Sequence, residues 1–178
     1  MGGPDDHLET AGDIVQGLRE LGLEPVLVGG MALVVLGSRR VTQDFDFVIT
    51  TPGDRLPATL DLFYDRGLEL VARVTDVGEI AATITARTVA ATRLRIDRPA
   101  SAFFFNDATH LRIDLLFDFP IPAADLAARA TRLKIGARVF HLASEPDLLR
   151  LKKIARKARV APGDAEDIAF LEKRRTHR

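Results

Sequence analysis

The segment from residue 26 to residue 48 constrains this chain more than any other. An apolar run ends in Gly29-Gly30, which is typical of a strand that turns into a short helix, and a second apolar run follows with acids at Asp44 and Asp46. Successive side chains of a strand point to opposite faces, so both acids are expected on one face while their neighbours face the core. Two carboxylates on one face repel each other unless a cation lies between them. The segment therefore indicates a divalent metal site with a phosphate beside the glycines.

Composition narrows the class of protein. The chain has 178 residues, which suits one domain, or one domain with a small appendage. Its 25 basic and 25 acidic residues balance, so no net field draws it to nucleic acid or to a membrane. The absence of cysteine excludes disulfides and cysteine-based metal sites or nucleophiles. No apolar run is long enough to span a bilayer and the N-terminus is polar and acidic, so we expect a cytoplasmic protein.

Apolar spacing and turn residues predict the order of elements along the chain. Helices are predicted over Leu8–Leu21, Met31–Leu36, Leu56–Arg66, Ala123–Arg132, Ser144–Ala158 and Asp164–Arg174. Strands are predicted over Val26–Val28, Phe45–Ile49, Leu68–Val74, Val89–Ile96, Leu111–Phe117 and Arg138–Leu142. The run Phe103–Phe105 is assigned to the core or to packing at an edge. This order predicts an α/β fold, with a mixed β-sheet core over residues 1–142 and a helical C-terminal segment, residues 143–178, packed on it.

A longer pattern contains the opening segment. In chain order it consists of Gly29-Gly30, Arg40-x-Thr42-x-Asp44-x-Asp46, Asp114, Lys152 and Asp164-x-x-Asp167. The pattern resembles the nucleotidyltransferase superfamily typified by DNA polymerase beta. In particular it resembles the small bacterial nucleotidyltransferases of the AbiEii type, which include toxins of toxin–antitoxin pairs. The resemblance extends from residue 26 to residue 171, but residues 51–109 contain no matching motif.

The resemblance implies a nucleotidyltransferase core that moves a nucleoside monophosphate from a nucleoside triphosphate, such as ATP, to an acceptor. Two Mg2+ ions, or Mn2+ in their place, would stabilise the attacking and leaving oxygens. Asp44 and Asp46 would bridge the metals, and Asp114 would hold the metal beside the acceptor hydroxyl and accept its proton. Carboxylates are the ligands that Mg2+ prefers in proteins.

The same resemblance assigns the phosphate contacts. Gly29 and Gly30 would let the triphosphate approach backbone N–H groups. Arg40 and Lys152 would contact phosphate, because charge placement dominates this chemistry, and Lys152 would be catalytic together with the three acids. Thr42 and Asp167 complete the predicted substrate site.

Several of these assignments have alternatives. Asp118 lies on the same face as Asp114 if the strand continues, but Asp114 is preferred because it lies within the apolar alternation, whereas Asp118 is close to Pro120. For Asp164, a cap at the start of the last helix is the better interpretation. Neighbouring residues of a helix point in different directions, so of Lys152 and Lys153 only the first is placed at the cleft.

The acceptor stays open at this point. RNA such as a tRNA end, a protein side chain and a small molecule are all compatible with the resemblance, and a cognate antitoxin is a possible partner. A second hypothesis is a catalytically silent binding module with the same fold. A third is an unrelated α/β fold in which the acids are dispersed.

Overall fold

The computed structural model describes residues 3–159 and 161–177. The predicted core, 1–142, begins at residue 1 and the predicted C-terminal segment, 143–178, ends at residue 178, and both of these residues lie outside the described ranges. Within the described residues, seven α-helices flank one eight-stranded mixed sheet, which confirms the predicted α/β fold. The helices are α1 (Pro4–Glu20), α2 (Gly29–Val35), α3 (Leu56–Tyr64), α4 (Arg87–Asp97), α5 (Ala123–Arg129), α6 (Glu145–Ala158) and α7 (Asp164–Thr176). The strands are β1 (Val26–Val28), β2 (Phe45–Ile49), β3 (Glu69–Val74), β4 (Ile80–Ile84), β5 (Ser101–Phe105), β6 (Arg112–Phe117), β7 (Thr131–Ile135) and β8 (Arg138–Leu142).

The sheet order places the acids at its centre. The strands follow the order β4-β3-β5-β6-β2-β1-β8-β7, with β2 parallel to β6 and antiparallel to β1. The register puts Asp46 opposite Asp114, and Asp114 opposite Phe103 on β5. We call these three residues the central row. Residues opposite each other on neighbouring strands share a face, so the central row lies on one side of the sheet.

The other face of the same strands forms the hydrophobic core. Phe45 and Phe47 stack on each other with ring centroids 6.3 Å apart, and Phe47 also stacks on Phe140 of β8. On β5, Phe104 stacks on Phe63 of α3 at 4.1 Å. Full burial of such side chains contributes about 1.5–3 kcal/mol each. Because this face is fixed by burial, the alternating polar residues must point to the opposite side.

Helix α4 replaces the strand that the sequence predicts over Val89–Ile96. Its buried positions are Ala90, Ala91 and Leu94, a spacing that matches one face of a helix. The side chains at the two ends of the predicted strand are instead 55% and 74% exposed. The β-branched residues of this segment favour a strand by propensity, but the burial of one helical face decides the structure.

Three strands were not predicted. Strand β5 contains the phenylalanine run and lies between β3 and β6, inside the sheet and not at its edge. Its alternation is hidden in the sequence because phenylalanine occupies both faces. The sequence left the stretch that contains β4 undefined. The predicted helix Ala123–Arg132 ends at Arg129, because Thr131–Ile135 pairs with β8 as the edge strand β7.

The two C-terminal helices pack on the core. Helix α6 begins after Ser144, whose Oγ accepts a hydrogen bond from the backbone N–H of Asp147 at 3.2 Å, so the predicted cap is confirmed. Leu148 and Leu171 are buried. Arg174 of α7 donates a hydrogen bond to the carbonyl of Leu36 at 3.0 Å, which ties this helix to the end of α2. None of the helices in the described part of the chain combines the length and the apolar character needed to cross a membrane.

Candidate active site

Three acids converge where β2 and β6 run side by side. Asp46 and Asp114 are register partners on these parallel strands, and Asp44 directly precedes β2. All three side chains are partly buried. The backbone N–H of Asp44 donates a hydrogen bond to Thr42 Oγ1 at 3.3 Å, so Thr42 braces the entry to the strand. The structure therefore brings the three predicted acids together, which removes the hypothesis of dispersed acids.

The acids perturb one another. Burial, together with the charges of Asp114 and Asp44, raises the pKa of Asp46 to about 7, while Lys152 opposes the rise. Burial also raises the pKa of Asp44, against the opposing charge of Arg112. Strongly perturbed carboxyl groups in a cleft are typical of functional sites, since a cation would relieve the repulsion between them.

The glycine pair packs closely against neighbouring side chains. Gly29 has a φ of +69°, and a Cβ on it would lie 2.8 Å from Cγ of Asp46 and closer still to one of its oxygens. A Cβ on Gly30 would lie 3.0 Å from Nε of Arg40. Glycine is therefore required at residue 29 both by its backbone conformation and by the carboxylate beside it.

Two cations, Arg40 and Lys152, line the same cleft as Asp46. Arg40 and Lys152 both bind Oδ2 of Asp167: the Lys152 Nζ lies 2.8 Å from that oxygen, and Nη1 of Arg40 donates a hydrogen bond to it. Lys152 also lies 3.6 Å from Oδ1 of Asp164. The structure thus joins residues that are 127 positions apart, Arg40 and Asp167, at the predicted phosphate site.

The role expected for Asp164 as a helix cap is wrong. Gly163 is the residue that precedes α7, and Asp164 is the first residue of the helix. Its side chain is buried against Lys152, and its Oδ2 has no hydrogen-bond partner among the described residues. Asp164 and Asp167 therefore both pair with Lys152 at the cleft.

A cleft of 310 Å³ lies between the glycine pair and α6. Its polar lining includes Arg40, Asp46, Lys152 and Asp164. Its apolar lining includes side chains from β2, β6, the β6–α5 loop and α6, among them Val48, Leu116, Phe119, Leu151 and Ile154. Phe119 is 50% exposed at this cleft. A wall of this kind suits the planar or apolar part of a ligand whose charged part contacts the polar side of the cleft.

Arg112 was not predicted as a site residue. Its guanidinium donates hydrogen bonds to both oxygens of Asp114, from Nε at 2.9 Å and from Nη2 at 3.2 Å. Although burial alone would lower the pKa of Arg112, the bonds to Asp114 and the charges of the other two acids raise it. The Arg112-x-Asp114 spacing puts both side chains on one face of the strand, which was the signal available in the sequence.

The alternative third acid lies elsewhere. Asp118 accepts backbone hydrogen bonds from Thr51 and Ala123, both at 2.9 Å, so its two oxygens are used to close the turn after β6. Its φ of +49° takes it out of the strand. Lys153, as expected, points away from the cleft and pairs with Glu172 at 2.9 Å.

The acid cluster suits a divalent cation by its chemistry. Mg2+ is usually held by one or two protein carboxylates and completed by substrate phosphates, and the neighbours Asp46 and Asp114 supply such a pair. Among residues 3–159 and 161–177, no three carboxylate or imidazole side chains are arranged to enclose an ion by themselves. In this arrangement both oxygens of Asp114 are bound to Arg112.

Comparisons with known proteins identify the fold. No protein-family model and no curated protein matches the sequence. Among solved structures, an antigenic nucleotidyltransferase-like protein from Paracoccidioides brasiliensis is 16% identical with a TM-score of 0.57, over 94% of this chain and 75% of its own. The lincosamide antibiotic adenylyltransferase LnuA, solved with lincomycin bound, is 12% identical with a TM-score of 0.56, over 92% of this chain and 95% of its own.

A further solved structure, ANT(2'')-Ia in complex with adenylyl-2''-tobramycin, is 14% identical with a TM-score of 0.52, over 92% of this chain and 86% of its own. At these identities the likeness concerns the fold. The chain has the nucleotidyltransferase fold, which confirms the fold that the sequence resemblance implied.

Proposed function

We propose that this chain is a nucleotidyltransferase, which transfers a nucleoside monophosphate from a nucleoside triphosphate such as ATP to an acceptor hydroxyl. The observation that carries the proposal is the central row: Asp46 and Asp114 lie side by side, next to Gly29 and across a cleft from Lys152. Carboxylates, a glycine turn and cations at one cleft are the groups that phosphoryl chemistry uses. The nucleotidyltransferase fold of the solved neighbours supports this assignment.

In the proposed reaction, the acceptor oxygen forms a bond to the α-phosphorus. The bond from that phosphorus to the oxygen bridging to the β-phosphate breaks, and pyrophosphate leaves. The Asp114 carboxylate accepts the proton of the acceptor hydroxyl. Asp44, Asp46 and Asp114 would hold Mg2+, or Mn2+, which would stabilise the charge on the attacking and leaving oxygens, and we propose that two such ions would act together.

The glycine pair and two cations of the same cleft would bind the triphosphate. Gly29 and Gly30 present backbone N–H groups without side chains, so phosphate oxygens can approach closely. Arg40 and Lys152 supply positive charge, and Asp167 holds both cations in place. Positioning of this kind accounts for most of the catalysis in phosphoryl transfer.

The proposal leaves three classes of acceptor to test. The solved neighbours include proteins bound to lincomycin and to adenylyl-2''-tobramycin, which brings small-molecule acceptors into consideration. The AbiEii-type motif order favours RNA such as a tRNA end, or a protein, and with it a toxin controlled by an antitoxin in the cytoplasm.

The test is transfer of label from nucleoside triphosphates labelled at the α-phosphate, in the presence of Mg2+. Total RNA, a protein lysate, and a panel of lincosamides and aminoglycosides serve as separate acceptors. We expect label in one class with the wild type and none with Asp46→Asn or Asp114→Asn. Asp76→Asn is the matched control, because Asp76 is an exposed acid in the β3–β4 turn. Absence of transfer to every class, together with absence of triphosphate binding, would contradict the proposal.

One observation favours a catalytically silent binding module as the second candidate. The guanidinium of Arg112 already balances the negative charge of Asp114, so this carboxylate has a cationic partner without a metal ion. Under this alternative, Asp46→Asn leaves triphosphate binding unchanged in EDTA and in Mg2+ alike. Under the main proposal, Mg2+ strengthens triphosphate binding by the wild type and not by the variant.

A further inference from the structure

Arg112 is a cation inside the acid cluster. Its guanidinium binds Asp114 through two hydrogen bonds, and its Cζ lies 4.1 Å from the centre of the Phe103 ring. The side chains of Arg112 and Asp114 are 26% and 24% exposed, so water screens the pair only partly. Two parallel charge-assisted bonds fix both the position and the rotation of the carboxylate.

The central row explains why the guanidinium is held so firmly. Phe103 is the register partner of Asp114 on β5, and Arg112 is two residues before Asp114 on β6. Strand alternation therefore puts the ring, the guanidinium and the carboxylate on one face. The Phe103 ring packs against one face of the Arg112 guanidinium and limits its movement, while Asp114 accepts hydrogen bonds from the edge of the guanidinium.

We propose that Arg112 is a positioning residue for Asp114 that occupies the oxygens a second divalent cation needs, and so weakens the binding of that cation until a triphosphate is present. The inference rests on the proposed function, because it takes Asp114 as a metal ligand. A cation that approaches Asp114 must displace two hydrogen bonds and stay close to a positive charge. Triphosphate oxygens supply the negative charge that offsets this repulsion.

The experiment titrates Mn2+ into the protein without nucleotide and follows free Mn2+ by electron paramagnetic resonance. For the wild type we expect one tighter and one weaker site. Arg112→Met should tighten the weaker site by about 10-fold, which is the effect of removing an interaction of about 1.4 kcal/mol. Arg112→Lys should fall between the two, because it keeps the charge but loses the planar fork.

Arg87→Met is the matched control. Arg87 binds two carboxylates, those of Asp61 and Asp65, and lies 5.7 Å from the centre of the Tyr64 ring, but it is located on α4 outside the cleft. The Arg87→Met variant should leave Mn2+ binding unchanged. A second variant, Phe103→Leu, keeps all charges and removes the ring, and should tighten the weaker site by ~3-fold.

Equal Mn2+ binding by the wild type, Arg112→Met and Phe103→Leu overturns the inference, as does the absence of any Mn2+ binding. Circular dichroism and thermal melting of each variant separate these outcomes from loss of the fold. The proposed function is judged separately by label transfer with the wild type. A transferring wild type whose Mn2+ affinity does not respond to these variants refutes only the inference about Arg112.

Discussion

Replacing Gly29 with alanine tests the site and its local structure in one variant. The backbone at Gly29 has a φ of +69°, where a Cβ costs ~1–2 kcal/mol. The new methyl group would also lie 2.8 Å from Cγ of Asp46, well inside van der Waals contact. Overpacking of this kind costs a further ~1–3 kcal/mol, because β2 is buried on its other face and cannot retreat. The expected loss of stability is therefore ~2–5 kcal/mol.

The strain and the clash can be separated with a second glycine. Gly136, in the turn between β7 and β8, has a φ of +60°, and a Cβ there would meet nothing within 4 Å. Gly136→Ala should show the backbone cost alone, ~1–2 kcal/mol. For a chain of this length, each kcal/mol lowers the melting temperature by ~2–4 °C. The difference between the two variants then measures the contact with Asp46.

The assays are thermal unfolding followed by circular dichroism, and label transfer under the conditions given above. We expect Gly29→Ala to melt several degrees below Gly136→Ala and to lose transfer by ~100-fold, since a displacement of about 1 Å at a reacting group can cost that much. Gly136→Ala should transfer at the wild-type rate. Equal melting temperatures for the two variants, or wild-type transfer by Gly29→Ala, would refute the reasoning.

Three further predictions concern charge and fold. Because the pKa of Asp46 is raised to about 7, the folded protein in EDTA binds a proton that the unfolded chain releases, so the free energy of unfolding should fall as the pH rises from about 4 to about 7, by up to ~1.4 kcal/mol per pH unit. Urea unfolding at several pH values checks this. A rise in stability with pH over that range would contradict it. Asp167→Asn leaves two cations without their shared partner and should cost ~1–3 kcal/mol of stability. Glu172→Gln, also on α7, breaks only the exposed pair with Lys153 of α6 and should cost less than ~0.5 kcal/mol. Urea unfolding compares the two variants, and equal losses would contradict the prediction. Leu94→Glu should unfold the protein or lower its melting temperature by about 5 °C or more, from a loss of ~2 kcal/mol at ~2–4 °C per kcal/mol. Val89→Glu should leave the melting temperature unchanged, because Leu94 is buried in α4 whereas Val89 is exposed. Equal effects of the two variants in thermal melting would contradict the helical assignment of this segment.

The sequence was sufficient for the elements whose apolar period is clear. Strand β2, with its alternating acids, and helix α6, with its Ser144 cap, were predicted close to their observed bounds. Helix α4 was not, because its β-branched residues imitate a strand and its buried alanines carry little hydrophobic signal. Strand β5 was hidden because its phenylalanines lie on both faces.

The candidate site shows the same division. The acids could be predicted from local alternation, and the structure brings them together. The contact between Arg40 and Asp167 could not be predicted from spacing, because it joins a loop before β2 to α7. The bonds between Arg112 and Asp114 were within reach of the sequence, since the two residues share a strand face. They were missed because an arginine in an alternating strand usually faces solvent.

Strand register, more than residue identity, decides that Asp114 and not Asp118 lies beside Asp46. A strand has a period of two, so a shift of one residue would move every side chain of β6 to the other face. Burial of Ile113 and Leu115 fixes that register, and the same register puts Asp114 opposite Asp46. Asp118 has the same parity along the chain, yet its φ of +49° ends the strand before the period reaches it. The choice between the two acids therefore depends on where β6 stops, which the turn at Asp118 and its bonds to Thr51 and Ala123 determine.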